Sequence, residues 1–432
     1  MIRIAQWPRL ALVVVLLLAS HAVAGDSPAR NFAVGGATSD DTSAVSVADP
    51  VVAGIVAAAG LEVQGLSQQL ELAIRTQARL HPRRDIVSLF VGGNDYLFFG
   101  SDPAAVVGRI STALERLYTE LGARQLVVFN LLPIGQSPIV TLFPPGTGAA
   151  LDAAARAHNA LLSDALDAFE TAHPPARIVR VDTAALFGTL SGPPFTSPSP
   201  QSCVGLTDFA SPDPIPLPPQ GCGAFVFMDG IHLTSSAIGV IAQGAADAIQ
   251  AALPHAAGIR NVYSFGDSFA DTGSLRDTVL RANLILGNPP LTAPNPPAYV
   301  NGRFADGPNL IDQLEAALGA RPSTFFPQPL RLVIPLGRSG HLVTGSSRPS
   351  VSGSAFVPRS VPTGATSSGP SFLSIDLDGT VCAYVAPASS DSYRFVHCTG
   401  GARPGDLVDF ATVEITASRS AAFVVELLYY ER

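Results

Sequence analysis

The sequence predicts an α/β fold, a doubly wound parallel sheet of about five strands, followed by a small C-terminal β domain. Three observations carry this. Short, continuously apolar runs alternate with longer helical patterns from Asn31 to Asp182, with a later run at Val262–Phe265. A Pro-, Ser- and Gly-rich segment interrupts the alternation between Pro322 and Pro370. Beyond it the apolar period changes to two.

At the amino end, Arg3 and Arg9 give a positive region, Leu10 to Ala19 an apolar run, and Ala22-Val23-Ala24 a small-residue cleavage site before Gly25. Residues 1–24 are therefore expected to be a signal peptide cleaved near Ala24, with the mature chain secreted, either periplasmic or extracellular. The apolar run is too short for a comfortable span, and no other segment approaches ~18 uninterrupted apolar residues. No integral membrane segment is expected in the mature chain.

Strands are expected at Asn31–Gly35, Ile86–Val91, Gln125–Asn130, Ile178–Asp182 and Val262–Phe265, since continuous apolar runs of this length suit strands buried on both faces. Between them Leu66, Leu70 and Ile74 recur at helical spacing. So do Val106, Ile110, Leu114 and Leu117, behind the capping acid and proline of Asp102-Pro103. Alanine-rich helices are expected over Leu151–Ala172 and Ser235–Leu253, and Leu310, Leu314 and Leu318 mark one more. The proline-rich excursion Pro193–Gln220 fits either an active-site loop or a surface insertion. Residues 323–370 read as a linker with room for one strand. In the last domain, 371–432, Leu373, Ile375 and Leu377 alternate with polar residues, and Asp378-Gly379 gives a two-residue turn into Val381–Val385. Val413 and Ile415 alternate again, and Phe423–Tyr430 reads as a final strand.

Composition narrows the chemistry. Apolar residues make up 47% and charged residues 14%, so sizeable cores can form. The net charge of -8, without a basic block, argues against a nucleic-acid partner. Lysine is absent, and all 26 basic residues are arginine. That removes Schiff-base catalysis, the phosphate-binding lysine of P-loops and serine–lysine dyads. Four cysteines suit an oxidising compartment. Three connectivities are open; the local pairs Cys203–Cys222 and Cys382–Cys398 are expected, each closing a short loop. Neither pair has zinc-site spacing, and there is no HExxH, so no metal is expected.

Nucleophilic acyl transfer needs a hydroxyl, a base in reach, a carboxylate to orient it, and donors for the oxyanion. Phe265-Gly266-Asp267-Ser268 follows a predicted strand, placing the serine at the carboxyl edge where α/β sheets build their sites. Asp229-Gly230-Ile231-His232 can set a carboxylate against an imidazole within one turn. Asn94 in Gly92-Gly93-Asn94-Asp95 projects at the same edge, and the run Asn31 to Gly36 ends on a glycine pair that allows close backbone approach. Each segment alone reads as ordinary cap or turn chemistry, and Thr234 or Ser235 offers a cap to the helix after His232.

Together the four segments resemble the sequence blocks of the GDSL or SGNH hydrolases, esterases and lipases named for Ser, Gly, Asn and His. FGDSFADTG and NGRFADGPNLIDQLEAALG resemble the first block and its trailing helix, NFAVGGAT the second, VGGNDYL the third and FMDGIHLT the last. GARQLVVFNLLPIGQSP is similar to the segment after the third. The resemblance covers roughly Asn31 to Arg321; Phe269 departs from it, standing where the family name has leucine. It implies a flavodoxin-like hydrolase domain over residues 25–322, with Ser268 as nucleophile, His232 as general base and Asp229 orienting the imidazole. The implied oxyanion hole comprises the Gly36 N–H, the Asn94 side chain and the Ser268 N–H. The implied reaction is hydrolysis of a carboxylic ester, small-molecule or lipid, through an acyl-enzyme and without a cofactor. Two other expectations stand beside it: acyl transfer to an alcohol at the same site, and an exported binding or adhesion protein on an inactive hydrolase scaffold.

The family places its serine block first. Here the order is glycine, asparagine, histidine, serine, which keeps the family's cyclic order, as a circular permutation would. The helix expected over Ser235–Leu253 is about 30 Å long at ~1.5 Å per residue. It can return to the opposite edge of the sheet, so Pro254–Asn261 can lead into the serine-bearing strand. A broken tandem copy completed by swapping is the competing expectation.

Overall fold

The computed structural model describes residues 30–431 apart from 77–79, 197–200, 212, 287–293, 326–329, 336–352, 358–359, 363–370, 378, 387–391, 404–406, 411–412 and 418–423. The expected signal peptide lies outside the described residues. Parallel strands β1 (Asp85–Phe90), β2 (Gln125–Phe129), β3 (Arg177–Val181) and β4 (Asn261–Gly266) form one sheet in the order β3-β2-β1-β4. β1 and β2 are buried along their whole length, which explains their predominantly apolar runs. The edge strand β3 has exposed positions at Arg177 and Arg180.

The expected fifth strand is only a short strip. Asn31 forms isolated parallel bridges with Ser264 and Phe325. Phe32 and Val34 donate their N–H groups to the carbonyls of Ser264 (2.8 Å) and Gly266 (3.1 Å). The ladder stops at Gly35, whose N–H turns to the Asp271 carboxylate at 2.7 Å.

Helices Leu66–Thr76, Pro103–Thr119 and Thr147–Ala172 pack side by side across one face of the sheet, and Ser235–Ala252 and Leu310–Leu318 cover the other. Their starts follow the sequence chemistry. Asp102 accepts from Ala105 N at 3.0 Å, and Asn309 with Asp312 forms a reciprocal capping box. Helices Val45–Ala48, Pro50–Ala58, Gly93–Leu97, Thr183–Gly188 and Ser274–Leu286 were not expected. Asp49-Pro50 carried a readable signal for the second of these, since Asp49 accepts from Val52 N at 3.0 Å.

The C-terminal region contains β5 (Leu330–Pro335), β6 (Gly353–Phe356), β7 (Ser360–Pro362), β8 (Ser371–Leu377), β9 (Thr380–Ala386), β10 (Ser392–Cys398), β11 (Leu407–Phe410), β12 (Val413–Ala417) and β13 (Val424–Glu431). They form two antiparallel sheets, β12-β8-β9-β10-β7 and β11-β6-β13-β5. The expected hairpin is present, with Leu377 opposite Thr380. Leu373, Ile375, Leu377, Tyr384 and Tyr393 are buried, while Phe372 is exposed on the other face. β5, β6 and β7 fall inside 323–370, where the sequence suggested a linker. Their partners β10, β11 and β13 lie far along the chain, so local composition carried no sign of the pairing. Both disulfides are the local pairs, Cys203–Cys222 and Cys382–Cys398.

Candidate active site

The four motif segments meet at the carboxyl edge of the sheet. β4 ends at Gly266, whose φ of +144° and contact with β1 require glycine: a Cβ there would lie 2.0 Å from the Phe90 carbonyl. The buried Gln69 amide clamps this strand end, accepting from Gly266 N (2.9 Å) and donating to Gly266 O (2.8 Å). Ser268 follows at once, and its Oγ lies 2.8 Å from His232 Nε2.

The histidine is held by its own turn. Asp229 Oδ1 accepts from the N–H groups of Ile231 (2.7 Å) and His232 (2.8 Å), closing an Asx-type turn. Asp229 Oδ2 lies 2.8 Å from His232 Nδ1, so Nδ1 carries the proton toward the acid and Nε2 is left as the acceptor facing serine. Asp229 is fully buried and His232 nearly so. Thr234 also caps the following helix, accepting from Ala237 N (3.3 Å). Phe304 and Phe209 flank the imidazole, with ring centroids 4.7 and 5.6 Å away.

Gly36, Asn94, His232 and Ser268 line one pocket. Gly36 has φ +82°, and a Cβ there would strike Val45 and Ser43. Among the described residues, no hydrogen bond engages the N–H of Gly36 or of Ser268. One amide proton of Asn94 goes to the Ala37 carbonyl (2.9 Å), leaving the other for the pocket. This arrangement can take a proton from serine and offer several N–H donors to a developing oxyanion.

Three supporting acids escaped sequence reasoning. Asp95 accepts from Ser39 N (2.9 Å), Ser39 Oγ (2.6 Å) and Arg109 Nη2 (2.9 Å), which ties the glycine turn to the asparagine turn. Burial pushes its carboxyl up, against the pull of Ser39 and Arg109. Asp271 takes the N–H groups of Gly35 (2.7 Å) and Leu275 (3.1 Å), fixing the residue before Gly36; burial raises its carboxyl to about 6. Asp267, beside the serine, is pushed up to about 7 by burial. FGDSFADTG and VGGNDYL contain all three, but nothing local separates a structural acid from a cap.

The proline-rich excursion is part of the site. Phe209 and Ala210 line the pocket, and the Cys203–Cys222 disulfide closes the segment that carries them. Among the described residues, no group of three or more His, Cys, Asp or Glu side chains could hold a metal ion. No described helix is long and apolar enough to cross a membrane.

Curated proteins offer no match to this chain. Residues 5–244, more than half of the chain, match the family model described as GDSL-like Lipase/Acylhydrolase. That match takes in the glycine, asparagine and histidine segments and ends before Ser268. With the parallel α/β sheet that carries these segments, the match places the chain in the GDSL-like lipase/acylhydrolase family.

Proposed function

We propose that the protein is a secreted carboxylic ester hydrolase that works through an acyl-enzyme on Ser268. One observation carries this reading: the continuous relay Asp229 Oδ2, His232 Nδ1, His232 Nε2, Ser268 Oγ, with both hydrogen bonds at 2.8 Å. Ser268 Oγ attacks the ester carbonyl while His232 Nε2 takes its proton. Asp229 stabilises the resulting imidazolium. The tetrahedral oxyanion is met by the N–H groups of Gly36 and Ser268 and by the Asn94 amide. As it collapses, His232 returns the proton to the departing alcohol. Water then attacks the acyl-enzyme with the same base, releasing the acid and freeing Ser268.

The walls favour an apolar acyl group. Val45, Ala48, Val52, Phe98, Leu275 and Phe304 line the pocket around the serine. Two disulfides support an oxidising compartment and so export.

We also infer that the motif order arose by circular permutation of a single domain. Arg30 and Asn31 donate their N–H groups to the Thr324 carbonyl (3.2 and 3.1 Å), so the two ends of the α/β region lie side by side. The connection after Ala252 passes through one short turn, Ala256–Gly258, into β4. Both features support a moved chain break.

The test is a fluorophosphonate probe with a chain-length series of nitrophenyl esters. Ser268 should be labelled in a dilute monomer, and Ser268→Ala should lose labelling and at least ~10⁴ of turnover. Unchanged turnover in the variant removes the serine mechanism; activity that disappears on dilution favours a site completed by a second molecule.

A further inference from the structure

We propose that Tyr299 is a positioning residue of the catalytic relay, its phenol holding the Asp229 carboxylate and moderating the hydrogen bond that this carboxylate accepts from His232. The inference rests on the reading of His232 as the general base.

Tyr299 Oη donates to Asp229 Oδ2 at 2.8 Å. That is the same oxygen that faces His232 Nδ1, so phenol and imidazole share one acceptor's electron density. The other oxygen, Oδ1, is occupied by the two backbone N–H groups of the turn. Tyr299 is fully buried. Burial pushes its ionisation up, and the negative charges of Asp229 and Asp208 add to this, so it remains a proton donor. A tyrosine that served only to fill space would need some acceptor for its buried hydroxyl. This one uses the acid of the relay.

Its seat is built by the disulfide-closed excursion. Ala298 N donates to Ile215 O at 3.0 Å, and Tyr299 packs in one cluster with Ile215, Cys222, Met228 and Ala298. The same excursion grips the acid turn. Cys203 N donates to Phe227 O (3.0 Å), Val204 N to Met228 O (2.9 Å), and Gly230 N to Leu206 O (3.0 Å). One loop thus fixes the phenol and the carboxylate relative to each other. Two further ionisable groups interact with this relay: Asp208 of the excursion with Tyr299, and Asp267 of the serine turn with His232.

The sign follows from the shared oxygen. Removing the phenol proton leaves more negative charge on Oδ2 for the imidazole, which then holds its second proton more tightly. In Tyr299→Phe the acid limb of the kcat/KM profile should move to higher pH by about half a unit. kcat should fall by about tenfold from lost orientation, with KM little changed. Site-specific 3-fluorotyrosine at position 299 is a stronger donor, so it should move the acid limb to lower pH. Two shifts of opposite sign cannot come from loosened packing.

An unmoved limb in both proteins overturns the proposal, and so does a loss of activity in Tyr299→Phe that tracks only a lower melting temperature. In either case fluorophosphonate labelling of Ser268 in the wild type shows that the ester hydrolase reading itself stands. If the wild type neither labels nor turns over ester, that reading fails. Proton NMR then decides the role of Tyr299 without turnover. The downfield His232–Asp229 proton should move further downfield in Tyr299→Phe, and an unmoved resonance overturns the proposal.

Discussion

Cys382 and Cys398 face each other across the paired strands β9 and β10, whereas Cys203 and Cys222 close a proline-rich segment whose one helical element among the described residues is the short turn Asp208–Ala210. The two loops are close in length, with sequence separations of 16 and 19. Chain entropy alone would credit each with about 3 kcal/mol. They differ in what else holds the chain. Around Cys382 the ladder already sets position, since Ile375 and Cys398 flank it in register. Around Cys203 the backbone bonds reach outward instead, to the turn that carries Asp229. Equal entropic weight with unequal positional weight makes the pair a natural experiment on what a cross-link does for a site.

Asn94→Ala sets the scale for that experiment. Its amide belongs to neither stapled region, and losing one oxyanion donor should lower kcat by about 10²–10³ with KM little affected. Steady-state kinetics on a nitrophenyl ester read this directly, and a loss under tenfold would remove Asn94 from the oxyanion hole.

Replacing Cys203 and Cys222 together by serine should have a smaller effect, about tenfold in kcat/KM, because the acid turn and Tyr299 lose a common brace. The acid limb of the pH profile should move in the same direction as in Tyr299→Phe. The double replacement of Cys382 and Cys398 should leave kcat/KM within about twofold, since distant independent sites couple weakly. It should still lower the melting temperature by an amount similar to that of the first pair. Equal kinetic losses from the two pairs would mean that the excursion stabilises the protein without orienting the relay.

The sequence was informative wherever chemistry is local. An acid three residues before a histidine, or a glycine that must turn a strand end, is written in neighbouring letters, so Asp229, His232, Gly266 and Ser268 were legible. β1 and β2 were legible because burial on both faces leaves them predominantly apolar. Tyr299 was not, because it acts on a residue 70 positions earlier through a loop that reads equally as an active-site loop or a surface insertion. The pocket wall Pro50–Ala58 escaped because small apolar residues all round a helix erase the helical period. In the C-terminal region, β5 and β13 lie on either side of the five-stranded sheet in sequence, and neither run announces its partner.

The seam between residues 30–31 and 321–325 sets an order of events during biosynthesis. The Arg30 guanidinium bonds the carbonyls of Arg321 and Pro322, the nearer of them 291 residues downstream. The first strip of the sheet to leave the ribosome is therefore among the last to find its place. Until that late stretch arrives, the outer side of the strip has no neighbour, and contacts of such high sequence separation form slowly. A product truncated before Arg321 would be left with a raw sheet edge, open to chaperones, proteases or another copy of itself.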